Sequence, residues 1–297
     1  MARILRWTVT KSDAGKKLEE FLREHGCSHH VLTHLKRTER GICLNGEWAY
    51  TTQRIKEGDL AEITITEEES SEHIVSSPLP LHIVYEDEDL MVVDKPSNMP
   101  IHPSINNYEN TLANAVMYYF SQQNIPFVYR CINRLDRDTS GLLIIAKNMM
   151  SGAILSQMSA DRQIHREYLT IVEGILPESG TIDAPIARPD PFYIDRAVRG
   201  DGQYAKTGFE VIAANDEYTM INAFLYTGRP HQIRVHFASV GYPLAGDTLY
   251  GRKEGCPSGL TEQALCCTAL EFIHPTSGRK CGFSIDPRPE MTALCGI

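Results

Sequence analysis

Apolar positions along this chain fall into two rhythms. In residues 1–68 they come in short bursts. Ile4, Trp7 and Val9 mark a strand within residues 1–10. Leu18, Phe21 and Leu22 then recur at helical spacing, with Ser12-Asp13 offering an N-cap and Gly26 placed to end the helix. A second helix is expected from about Ser28 to Thr38. Val31, Leu32 and Leu35 face inward there, and His29, His30, His34, Lys36 and Arg37 occupy the other face. Asn45-Gly46 between apolar runs is a strong hairpin signal. A turn over residues 54–59 feeds a closing strand from Leu60 to Thr66.

Residues 69–80 break the pattern. The run Glu67-Glu68-Glu69-Ser70-Ser71-Glu72, followed by Pro78 and Pro80, predicts a polar, solvated linker. The second rhythm starts at Leu81. A strand, the acidic turn Glu86-Asp87-Glu88-Asp89 and a second strand stop at Lys95-Pro96. Asn110 or Thr111 can cap a helix with Leu112, Val116, Tyr119 and Phe120 inward. The continuous apolar run Leu142 to Ala146 predicts a buried strand. Met149 to Ala160 reads as a helix, Leu169 to Gly174 as a strand, and further strands begin at Phe209 and Tyr218. Pro230 suits a helix's first position. Residues 183–204 show little periodicity.

Composition narrows the class. A chain of 297 residues with 42% hydrophobic residues has room for two domains. No apolar run is long enough to span a membrane, and the N-terminus has no signal-peptide core, so a cytoplasmic protein is expected. The eight cysteines form no Cys-x-x-Cys pair and read as small buried hydrophobes, neither a zinc site nor a disulfide framework. The net charge of −9 argues against a nucleic-acid partner until it is mapped. Residues 1–60 carry 11 basic and 8 acidic side chains, residues 61–90 none and 9, and residues 91–297 18 and 21. The deficit of one thirty-residue segment equals that of the whole chain, and an RNA could avoid that segment.

The densest chemistry lies at Arg134-Leu135-Asp136-Arg137-Asp138-Thr139-Ser140-Gly141, directly before the buried strand. Charge at the mouth of a core strand is costly unless paired, and a carboxylate held there suits nucleophilic or acid/base work. A salt-bridged surface turn is the plainer alternative. Arg-Leu-Asp-x-x-Thr-Ser-Gly followed by an apolar strand resembles the active-site signature of RluA-type pseudouridine synthases. Arg166-Glu167-Tyr168 and Thr227-Gly228-Arg229-Pro230-His231-Gln232-Ile233-Arg234-Val235-His236 match further motifs of that family in its order, as does Lys95-Pro96. Residues 1–68, with a basic helix ahead of Leu44-Asn45-Gly46, resemble the S4 RNA-binding domain. The chain departs from the family at Asn133, where a His is usual, and at Cys266-Cys267, where Leu-His-Ala is usual.

The resemblance implies an α+β protein. A small S4-like α/β RNA-binding domain (1–68) and the linker (69–80) precede a pseudouridine synthase catalytic domain (81–297) with a large mixed, mainly antiparallel sheet. It implies isomerisation of uridine in structured RNA, ribosomal RNA favoured and transfer RNA possible, without metal or other cofactor; no DNA or membrane partner is expected, and a monomer is the default. Asp136 is implied as the working carboxylate, with Arg234 its ion-pair partner. Tyr168 is implied to stack on the flipped base, although a tyrosine starting a strand is often simply core. Arg134 is implied to fill the gap left by the base or to hold a phosphate. Thr139, Ser140, Arg166, Arg229, His231 and Gln232, with Lys36 and Arg37 of the S4-like part, are the expected RNA contacts. Two rivals remain on the residues alone: a glycoside or nucleoside hydrolase using Asp136 and Asp138, and an RNA-binding protein without catalysis. A zinc site at His231 and His236 is disfavoured, because five residues suit neither one helix face nor one strand face.

Overall fold

A computed structural model describes residues 2–190, 192–251, 260 and 262–296. Cys256 lies outside the described residues.

The N-terminal module contains β1 (Ala2–Thr8), α1 (Leu18–Glu24), α2 (His29–Arg37), β2 (Ile42–Leu44), β3 (Glu47–Trp48) and β4 (Leu60–Thr66). Its four strands form an antiparallel sheet in the order β1-β4-β2-β3. Asn45 and Gly46 both take positive φ, as a two-residue type I′ hairpin requires. Ser28 caps α2 by accepting from the Val31 amide at 3.3 Å. The first helix starts later than its sequence suggests. Ser12-Asp13 is not its cap, because residues 10–16 close their own turn through Asp13 N–H to Thr10 O and Lys16 N–H to Asp13 O. The helix then begins after Lys17.

Residues 67–77 are not a free tether. Glu67 pairs with Arg130. Ser70 and Ser71 accept through their hydroxyls from the amides of Phe127 and Tyr129, at 3.1 and 3.0 Å. The Asn114 amide donates to Val75 O at 2.7 Å, and Ser77 N–H donates to Asn114 O at 3.2 Å. Serines in an acidic run look like solvated spacer; here they satisfy the polar groups of the strand-like segment 127–130.

The second unit is built on β5 (His82–Glu86), β6 (Leu90–Lys95), α3 (Leu112–Ser121), β7 (Ser140–Ala146), α4 (Met149–Ala160) and β8 (His165–Glu173). There follow β9 (Gly180–Asp183), β10 (Ile186–Ala187), β11 (Ala197–Val198), β12 (Lys206–Ala214), β13 (Tyr218–Leu225), α5 (Gln232–Ser239), β14 (Leu265–Ile273), β15 (Lys280–Ser284) and α6 (Pro289–Thr292). Nine strands form one mixed sheet in the order β5-β6-β7-β14-β8-β13-β12-β9, with β15 added on β14. Among the described strands only β7 and β14 run parallel. The small hairpin β10–β11 occupies the stretch that lacks periodicity in sequence. The strands β14 and β15 have no counterpart among the expected elements.

β7 is buried along its whole length, as its apolar run predicts. Gly141 is required there. It sits at φ 113°, and a Cβ would lie 2.3 Å from the carbonyl oxygen of Cys267 on β14. The glycine of Thr-Ser-Gly therefore lets two central strands approach at the point where the motif enters the sheet. Cys266 and Cys267 are buried opposite Ser140 and Gly141, as small hydrophobes.

The two units share a boundary with its own core. Met149 and Met150 of α4 are buried in the same cluster as Leu18, Phe21, Val31 and Ile63. Arg3 of β1 donates twice to the buried Asp89 carboxylate, at 2.9 and 2.7 Å. Asn148 and Thr276 complete the shell of Asp89, at 3.0 and 2.5 Å.

Candidate active site

The motif loop is held from behind so that one side chain is left in front. Asn133 is buried where the family pattern has His. Its amide accepts from Ile144 N–H at 2.8 Å and donates to Leu142 O at 3.2 Å, pinning the loop to β7. Lys95, with no exposed surface, donates to Arg137 O at 2.8 Å and Pro96 O at 2.7 Å. Ser97 donates to Asp138 O at 2.6 Å, and Thr139 N–H to Asp136 O at 3.1 Å. Burial pushes the Lys95 amine down to about 7. These bonds consume the loop's carbonyls and leave the Asp136 carboxylate in the cavity.

The second motif supplies its partner. Pro230 lies one residue before the cap of α5, not at the first helical position. His231 is the cap, in the left-handed region at φ 57°. The Gln232 side chain closes the turn, accepting from Thr227 at 2.6 Å and Arg229 N–H at 3.0 Å and donating to Lys206 O and Thr207. One turn on, Arg234 donates to both oxygens of Asp247, at 2.7 and 2.9 Å, and through Nη1 to Asp136 Oδ2 at 3.2 Å. Burial disfavours the guanidinium charge, but Asp247 and Asp136 outweigh it and hold the group well above its ordinary pKa.

Asp136, Tyr168, Arg234, Arg134, Arg166, Arg229 and His231 line one cavity of about 1780 Å³. Among the described residues it holds eight arginines (134, 137, 162, 166, 188, 196, 229 and 234) against the four carboxylates of Asp136, Asp138, Glu167 and Glu271. A chain of net charge −9 thus carries a basic cavity. Tyr168 lies on β8 beside Cys267, and burial raises its phenol well above the usual value, which suits a neutral aromatic wall more than a base. Asp138 is held by Arg137 at 2.8 and 3.0 Å. That occupies the second carboxylate a hydrolase would use.

Other expected contacts lie elsewhere. Thr139, Ser140 and Gln232 are buried and do not reach the cavity wall. They are short polar side chains in an active-site motif, but their work is within the fold: Thr139 accepts from Gln263 at 3.1 Å, and Ser140 begins β7. Lys36 and Arg37 sit exposed on α2, with Lys36 paired to Glu19 at 3.0 Å. His236 faces Thr207 and Ala184 O, both at 2.9 Å, and not His231. Two members of the site were missed in sequence. Asp247 ends the stretch Gly241-Tyr242-Pro243-Leu244-Ala245-Gly246-Asp247, which continues the family resemblance, but nothing in that stretch pairs it with Arg234. Tyr250 gives no signal; its ring lies 5.0 Å from the Arg234 guanidinium and its hydroxyl 2.7 Å from His231 Nδ1.

Residues 89–239 match the profile of the RNA pseudouridylate synthase family. A Bacillus subtilis (strain 168) protein titled uncharacterized RNA pseudouridine synthase YjbO is 37% identical over 278 residues, 93% of this chain and 97% of that one. The ribosomal large subunit pseudouridine synthase D of Xanthomonas campestris pv. campestris is 36% identical over 248 residues, 79% of this chain and 74% of that one. The structure of human RNA pseudouridylate synthase domain containing 1 superposes with a TM-score of 0.60 at 26% identity, over 72% of this chain and 86% of the human one. The chain belongs to the RNA pseudouridylate synthase family, in keeping with its RluA-type motifs, and isomerises uridine to pseudouridine in RNA. No described helix is long and apolar enough to cross a membrane.

Proposed function

We propose that the chain modifies specific uridines of large-subunit ribosomal RNA, with Asp136 as the working carboxylate. The observation that carries this is the contact of Arg234 with Asp136 at 3.2 Å inside a cavity walled by Tyr168 and eight arginines. The guanidinium orients the Asp136 carboxylate, which can attack the base or stabilise and capture the sugar. Tyr168 stacks on the flipped base, and Arg134, exposed at the cavity, occupies the vacated gap or holds a phosphate. Flipping costs a few kcal/mol and least in loops, so loop or bulge uridines are the targets. Relatives titled ribosomal large subunit pseudouridine synthase D favour ribosomal over transfer RNA. On this reading the protein works in the cytoplasm, with a monomer as the default state.

Residues 1–68 act in this reading as an S4-like RNA-binding domain ahead of the linker and the catalytic domain. Lys36 and Arg37 on α2 supply part of its basic face. The B. subtilis relative aligns over 93% of this chain, so most of that module belongs to the shared length.

Cellular RNA lacking the modification, incubated with the protein or with Asp136→Asn and mapped by carbodiimide labelling and primer extension, tests the reading. Stops with wild type alone support it and name the target. Equal stops with both proteins remove Asp136 from its role. No stops on ribosomal RNA remove that substrate.

A further inference from the structure

His231 is the cavity residue whose chemistry is still unassigned. Its Nδ1 lies 2.7 Å from the Tyr250 hydroxyl, and that hydroxyl accepts the Arg196 backbone N–H at 2.8 Å. A phenol has one proton to give. With the Arg196 amide donating to it, the pairing that satisfies every group sends the Tyr250 proton to His231 Nδ1. The imidazole hydrogen then resides on Nε2. That atom lies 4.0 Å from Asp136 Oδ1, beyond hydrogen-bond reach. Arg234 takes the other carboxylate oxygen, Oδ2. An N–H and a carboxylate oxygen therefore face the same space, and neither consumes the other.

Two further facts agree. Burial, helped by Arg234 and Arg196, lowers the His231 pKa against the pull of Asp136 and Asp247, so the ring is neutral and leaves the Asp136 charge intact. The residue also holds a left-handed backbone, at φ 57°, that most side chains avoid. Such strain persists where the surroundings fix it, and here it aims the ring into the site.

We propose that His231, its tautomer set by Tyr250, donates a hydrogen bond from Nε2 to O2 of the flipped uracil. This rests on the reading of Asp136 as the carboxylate that works at that uridine's glycosidic bond. O2 is the carbonyl next to N1. When the N1–C1′ bond breaks, its electron pair stays on the base, and O2 shares the negative charge. A preoriented N–H gains strength as that charge develops. His231 keeps its proton throughout. In the opposite tautomer its lone pair would face both Asp136 Oδ1 and O2, and the Tyr250 hydroxyl would lose its acceptor. Tyr250 is thus a positioning residue that acts through His231.

The test uses a short stem-loop RNA carrying the uridine located by the mapping above, made with uridine, 2-thiouridine or 4-thiouridine at that position. His231→Asn tolerates the left-handed backbone but is too short to reach, and His231→Gln restores an N–H near Nε2. His231→Asn is expected to lower kcat on uridine by about ten- to a hundredfold with KM little changed. It should also abolish the wild type's preference for uridine over 2-thiouridine, whose sulfur is a poor acceptor, and leave the uridine/4-thiouridine ratio alone. His231→Gln and Tyr250→Phe should fall between. An unchanged uridine/2-thiouridine ratio in His231→Asn overturns the proposal. If that variant does not fold, an unchanged ratio in Tyr250→Phe does so. Asp136→Asn, run beside them, separates the two readings: activity retained there refutes the role of Asp136, whereas activity lost there with unchanged ratios refutes the role of His231 alone.

Discussion

Arg234 gives two of its nitrogens to Asp247, at 2.7 and 2.9 Å, and the third to Asp136, at 3.2 Å. The two carboxylates differ in kind. Asp247 is 1% exposed and also accepts the amides of Leu249 and Tyr250, whereas the Asp136 side chain is 27% exposed and opens on the cavity. Asp247 fixes the guanidinium, and the fixed guanidinium presents one N–H to Asp136. In Asp247→Asn one half of this buried pair loses its charge. A stability loss of about 3–5 kcal/mol is expected, read as a lower midpoint in denaturant. Below that midpoint, turnover should fall through kcat while KM changes little. A folded Asp247→Asn with wild-type kcat would show that Arg234 needs no clamp.

Gly141→Ala places a Cβ against the Cys267 backbone and asks alanine to hold φ 113°. Backbone cannot swing aside as a flexible side chain can. A loss above about 3 kcal/mol, or failure to fold, is expected, since backbone strain and overpacking add. Thermal unfolding beside Gly46→Ala, whose Cβ meets nothing within 4 Å, separates the clash from the φ cost.

Lys95 sets a pH dependence of stability. Its folded-state pKa is depressed to about 7 by burial, against 10.5 when unfolded. Between these values the unfolded chain binds the extra proton, so wild-type stability rises with pH, by up to about 1.4 kcal/mol per unit. Lys95→Met should remove that slope. Denaturant titrations between pH 7 and 8.5 should show the difference between the two proteins growing with pH, since the thiols that ionise in the unfolded chain contribute alike to both. Parallel curves would mean that the lysine keeps its proton when buried.

Arg134 is exposed at the cavity and, among the described residues, makes no hydrogen bond or ion pair. Arg134→Ala should weaken RNA binding and reduce the slope of log affinity against log salt by about 1. An unchanged slope with lowered kcat would favour the gap-filling role over the phosphate contact.

Much of this is legible in the sequence. The apolar run of β7 and the spacing of α2 are local signals, and both elements appear where the pattern puts them. The two long motifs foretold which distant residues meet: Asp136 and Arg234 are 98 positions apart and in contact. The rest depends on partners that sequence does not pair. Gln232 and Thr139 look like polar contacts for a ligand, and only the fold shows that they are used up inside it. β14 and β15 give no signal because their cysteine-rich and alternating residues have no strong period, and β14 gains its burial from its neighbours β7 and β8 in the middle of the sheet. The acidic segment misled through composition, since its serines, not its glutamates alone, decide where it lies.

The shared core beneath α4 makes the protein a ruler. Cys27 meets Met150 at 3.8 Å, and a Cβ on Gly26 would collide with Ile154 at 2.6 Å, so the two units touch without room to slide. Separating them would bare Met149 and Met150 and strand the Asp89 carboxylate without Arg3. The distance from the basic face of α2 to the carboxylate of Asp136 is therefore a constant of the molecule. On the proposed reading, in which an RNA rests on both, the substrate would be selected by how far its anchoring element stands from its unpaired uridine.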